Sequence, residues 1–131
     1  MSRVTRTVLV CVFIFSYLGL LHAQQRPPYA SNLNSCITGA FYNPQKYKWY
    51  TYPNNCTEKV FLTWVSGNGL QGGSLEIKSE GKQDIGRSER EVDEMGGVKA
   101  YACPEHYIPV DANDRHIVKP VTAFRCKYQG F

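Results

Sequence analysis

The stretch Cys56-Thr57-Glu58-Lys59-Val60-Phe61-Leu62-Thr63-Trp64-Val65 limits the possible folds of this chain more than any other. It opens on a cysteine and then alternates. Val60, Leu62 and Trp64 fall on one face, and Lys59, Phe61 and Thr63 on the other. Successive side chains of a strand point to opposite faces, so this period-two pattern of β-branched and aromatic residues predicts a half-buried β-strand. The face carrying Trp64 is the one expected to anchor a core.

The N-terminus reads as a leader. Arg3 and Arg6 precede an apolar run from Val8 to Leu21, and Leu21-His22-Ala23 ends in a small residue suited to signal peptidase. That three-part pattern predicts a secretory signal peptide over 1–23. The run is about 14 residues, short of the roughly 20 that span a bilayer. No membrane span is expected after cleavage, and a secreted or periplasmic location is. The formal net charge is +4; it falls to about +2 once Arg3 and Arg6 leave with the leader. So mild a charge, scattered along the chain, gives no reason to expect nucleic acid as a partner.

Cys11 also leaves with the leader, and Cys36, Cys56, Cys103 and Cys126 remain. An even number in a short exported chain predicts two disulfides. Four cysteines allow three pairings. Symmetry favours Cys36–Cys56, equidistant from Lys46, and Cys103–Cys126, equidistant from the Asp114-Arg115 turn, each pair bridging its own hairpin.

Residues 24–35, with Pro27-Pro28, read as an irregular arm ahead of a single domain over 36–131. Within that domain, strands are expected at Cys36–Tyr42, Lys46–Tyr52, Val60–Val65, Ser74–Lys78, Gln83–Gly86, Val98–Cys103 and Val121–Tyr128. Asn43-Pro44-Gln45 and Ser66-Gly67-Asn68-Gly69 supply turns, with Gly72-Gly73 extending the second loop. Glu105 to Pro120 shows no periodicity. Ser88-Glu89-Arg90-Glu91 fits a capping box, Val92 and Met95 share a face, and Gly96-Gly97 stops the run. A helix of about two turns near Ser88–Met95 is therefore expected. The whole predicts an all-β, Ig-like sandwich of about seven short strands with one short helix and two disulfides.

Ile85-Gly86-Arg87-Ser88-Glu89-Arg90-Glu91-Val92, followed by Gly96-Gly97-Val98-Lys99-Ala100-Tyr101-Ala102-Cys103-Pro104, resembles small secreted bacterial β-domain proteins of unknown function. The Val110-Asp111 and Phe124-Arg125-Cys126 steps fit the same pattern. The resemblance implies an exported bacterial β domain and carries no activity with it.

Candidate chemistry is sparse. His106 and His116 flank a turn with Glu105, Asp111, Asp114, Arg115 and Lys119 nearby, a set able to supply a general acid, a general base and a cation. Cys103, His106, His116 and Cys126 include ligand types zinc prefers, at a spacing that fits no finger, in a compartment that favours disulfides. Asp111-Ala112-Asn113-Asp114 lacks the further acceptors of a calcium loop. Gly67-x-Gly69-x-x-Gly72 matches a dinucleotide fingerprint only by letters, and no Gly-x-Ser-x-Gly elbow occurs. Asn55-Cys56-Thr57 is a formal glycosylation sequon with a bridged cysteine at its centre. No metal or cofactor is expected.

The aromatic strip Tyr47-Lys48-Trp49-Tyr50-Thr51-Tyr52 carries the binding expectation. Alternation puts Lys48, Tyr50 and Tyr52 on one face, suited to a sugar ring or a protein partner. A non-enzymatic exported binding module for an unknown protein or glycan is thus the first expectation, with an inhibitor of a secreted enzyme as one version. The alternative is a small nuclease-like hydrolase using His106 and His116.

Overall fold

A computed structural model describes residues 26–37 and 39–130. The expected signal peptide, 1–23, lies outside the described residues. Over the described residues the chain is all-β: eight strands in three antiparallel sheets, one short α-helix, and disulfides Cys36–Cys56 and Cys103–Cys126. The strands are β1 (Tyr29–Ala30), β2 (Thr51–Pro53), β3 (Val60–Ser66), β4 (Gly72–Ile77), β5 (Lys82–Asp84), β6 (Val98–Pro104), β7 (Tyr107–Val110) and β8 (Arg125–Tyr128). The helix α1 spans Glu89–Glu94.

The central sheet has the order β4-β3-β6. Both its ladders are antiparallel, with Leu62 opposite Leu75 on β4 and Ala102 on β6. Its first face carries Val60, Leu62 and Trp64, as the alternation predicts, all buried with Ile77, Ala102, Val92 and Met95 in the main core. The helix covers this face. Ser88 Oγ accepts from Glu91 N at 3.2 Å and Ser88 N donates to Glu91 Oε2 at 2.7 Å, the full capping box. Those two bonds satisfy donors that a helix this short could not otherwise pair, while Val92 and Met95 supply the packing that holds it. The helix ends on Gly96 and Gly97, both at positive φ. The β3–β4 loop docks there backbone to backbone, with Gly67 N donating to Gly97 O and Asn68 N to Met95 O. A Cβ on Gly67 would lie 2.0 Å from Gly96 O, so only glycine fits.

The second face of the central sheet is covered in part by the β1-β8-β7 sheet and the segment before β8. Val65 and Tyr101 bury against Ile117, Val121 and Phe124. Cys103 meets Cys126 and Tyr107. The Cys103–Cys126 bridge therefore joins two sheets, rather than neighbouring strands of one hairpin. The β2-β5 pair forms the third sheet.

Three local expectations are corrected. Among the described residues, no strand forms over Cys36–Tyr42. Asn34–Cys36 is a 3₁₀ turn, and only Phe41 bridges to Thr51. The Cys36–Cys56 bridge consequently links a turn to a loop. Where it is described, the expected irregular arm is tied to the domain: β1 pairs with β8, Tyr107 Oη donates to Pro27 O at 2.8 Å, and Leu33 N donates to Ala102 O. Gly72 and Gly73 lie inside β4 rather than in a loop, because the indole of Trp64 occupies the space above Gly73. Finally, the aperiodic stretch contains β7. All four of its residues are buried, so both faces are covered and no alternation is visible.

Candidate binding surfaces

The sheet's second face is not covered throughout. Phe61 and Thr63, which alternate with the buried Leu62 and Trp64, stay half-exposed. They floor a groove of about 440 Å³ between the β3–β4 loop and the segment after β7. Leu70, Gly73 and Ser74 form one wall, and Ile108, Ile117 and Val118 the other. Leu70 is 82 % exposed and Val118 66 %, so each presents an apolar side chain to solvent at the groove's edge. The loop that carries Leu70 is held firmly. Asn68 Oδ1 accepts from Ser66 Oγ at 2.7 Å and Leu70 N at 3.1 Å, and Gln71 N donates to Ser66 Oγ at 3.0 Å.

The expected Lys48–Tyr50–Tyr52 face does not form. Tyr52 is 4 % exposed in the main core, and burial pushes its hydroxyl pKa up. Tyr50 is half-buried against the same core, its ring edge-on to Tyr52 at 6.2 Å. Only Lys48 remains exposed. Strand geometry begins at Thr51, five residues after the expected start at Lys46, so the alternation drawn from Tyr47 to Tyr50 has no strand to act on.

An aromatic and basic cluster stands beside it instead. Asn43 opens a tight turn, accepting from Lys46 N at 3.0 Å and Tyr47 N at 2.6 Å, while its side chain accepts from Gln45 N at 3.0 Å. This turn brings Lys46 and Tyr47 to Lys82 on β5. Lys82 Nζ donates to Tyr47 Oη at 2.7 Å, and the Lys46 ammonium is 5.3 Å from the centre of the same ring. The bond from Lys82, aided by Lys46, holds the Tyr47 hydroxyl below its ordinary pKa.

His106 and His116 line different depressions. His106, at φ 73° in the β6–β7 turn, borders a small one of about 150 Å³ with Lys59, Glu76 and Glu105. His116 lies on the wall of the large groove, and none of the groove's lining residues is a carboxylate. Asp111 and Asp114 are engaged in structure. Asp111 Oδ1 accepts from Asn113 N and Arg115 N. Asp114 accepts from Tyr29 Oη at 2.6 Å and Arg125 Nη2 at 2.7 Å, tying its loop to β1 and β8. The Tyr29 bond first, then Arg125 and Lys127, holds the Asp114 carboxyl below its usual range. Among the described residues no group of three potential metal ligands comes together. Cys103 and Cys126, as a disulfide, have no thiolate to offer zinc.

Neither the groove nor the lysine cluster is visible in sequence spacing, because each gathers loops far apart in the chain. Comparison with models of protein families, with curated proteins and with solved structures finds no match. Among the described residues, no helix is long and apolar enough to cross a membrane.

Proposed function

We propose that this protein is an exported, non-enzymatic binding module that seats an apolar side chain of a protein partner in the Phe61–Leu70–Val118 groove. The observation that carries this reading is the pair of exposed apolar residues, Leu70 and Val118, at the rim of a concave groove floored by Phe61 and Thr63. Fully burying a side chain such as Leu or Val is worth about 1.5–3 kcal/mol, and on this rim that gain is available only to a partner. Export rests on the leader pattern at 1–23 and on the two disulfides, which persist in oxidising compartments. The resemblance of the Ile85–Pro104 segments to small secreted bacterial proteins agrees with it. An inhibitor of a secreted enzyme is one form such a module takes.

A photo-crosslinking residue placed at Val118 tests the proposal in the organism's own envelope or secretome. A discrete adduct is expected from Val118 and none from Glu89, on the helix over the opposite face of the central sheet. No adduct, or equal adducts from both positions, would overturn it. The hydrolase alternative has less support, since the two histidines border separate depressions and His116 has no acid beside it in the groove. Release of acid-soluble fragments from RNA, abolished by His116→Ala, would favour that alternative.

A further inference from the structure

The Tyr47 cluster has the makings of an anion site. Two ammonium groups, Lys46 and Lys82, act on one phenol, and Lys48 adds a third cation 4.8 Å from the centre of the Trp49 ring. Among the described residues none of these three lysines is ion-paired. Tyr47 Oη accepts from Lys82, which leaves its own proton free to be donated outward. The lowered pKa of that hydroxyl makes it a better donor to an anion. Beside it Phe41, edge-on to Tyr47 at 4.9 Å and 39 % exposed, offers an apolar surface.

We propose that Lys46, Tyr47 and Lys82 bind a carboxylate of an acidic polysaccharide, with Lys48 meeting the next carboxylate along the polymer and Phe41 packing on a sugar ring. Single-stranded nucleic acid is the other polyanion to weigh. It needs open aromatic faces on which bases stack. Here the Tyr47 and Trp49 rings already have ammonium groups within 5.3 Å of their centres. Recognition therefore falls to the cations and the phenol, and a polymer with one carboxylate per sugar supplies repeated partners for them. This inference uses the export reading but not the groove, so either site can fail without the other.

Binding of the mature chain to immobilised polygalacturonate, with neutral dextran and single-stranded DNA as parallel surfaces, tests it. Polygalacturonate should be retained and released by salt, since exposed charges are screened at physiological ionic strength. Lys46→Gln with Lys82→Gln should weaken retention by about tenfold or more, the loss of charge-assisted hydrogen bonds. Tyr47→Phe, which keeps both lysines and the ring, should weaken it by a smaller factor and leave the thermal midpoint unchanged. Equal retention on dextran, tighter binding to DNA than to polygalacturonate, or lysine variants that bind like the parent would each overturn the proposal.

Discussion

The two faces of β3 divide its seven residues between opposite tasks. On the first face Val60, Leu62 and Trp64 are sealed beneath the capped helix and the Ile77–Ala102 neighbours. On the second, only Val65 is sealed, against Tyr101 and Ile117, while Phe61 and Thr63 floor an open groove. A strand buried on both faces along its length would serve as scaffold alone. A strand buried on one face and half-covered on the other can hold the fold and still present a surface. The difference teaches where to look for function: not in the most hydrophobic side of the pattern, but where its less regular side is left uncovered.

Substitutions can break this comparison. Trp64→Ala, on the sealed face, should cost about 3–5 kcal/mol in chemical denaturation, the usual range for emptying an aromatic core position. A loss of only a few tenths would invert the assignment of faces. Gly73→Ala should cost about 1–3 kcal/mol, because the new methyl must push a buried indole aside; its Cβ would stand 2.8 Å from Trp64 Nε1. Ser88→Ala removes the cap of the covering helix and should cost about 1 kcal/mol, with the hydrogen exchange of residues 89–95 rising first.

A smaller effect concerns the Asp114 tie. Its carboxyl is held below the ordinary value, so the stabilisation is complete above the unfolded-state pKa of about 4 and is lost as pH falls through the folded value. Tyr29 is shifted upward by the same bond, so its share fades only as pH rises past about 10. Tyr29→Phe should raise the Asp114 titration midpoint followed by NMR, and the loss of stability in acid, still starting near the unfolded-state value, should be smaller and finish at a higher pH. An unmoved Asp114 midpoint would show that the arginine, not the tyrosine, sets it.

What could be read from the chain beforehand was whatever is local. The alternation through Trp64 and the Ser88–Glu91 box each lie within a few residues, and both form as their side chains dictate. The disulfide pairs were legible too, though for a different reason than hairpin symmetry. Cys103 and Cys126 meet across two sheets, and Cys36 sits in a 3₁₀ turn. β7 was hidden because Tyr107, Ile108, Pro109 and Val110 are all buried and leave no polar half to the pattern. The Lys48–Tyr50–Tyr52 face failed because alternation was extended over residues held by the Asn43 turn. Leu70 and Val118 carry no signal at all until the fold brings their loops to one groove.

The most direct measurement compares stability and partner capture in one variant, Leu70→Ser with Val118→Ser. Exposed positions of this kind usually shift stability by no more than about 0.5 kcal/mol. If the uncovered face of β3 is the binding surface, the variant keeps its denaturation midpoint and fails to retain the partner crosslinked through Val118. A variant that retains that partner as fully as the parent chain, or one that loses it only by unfolding, would contradict the division of β3 into a sealed face and a binding face.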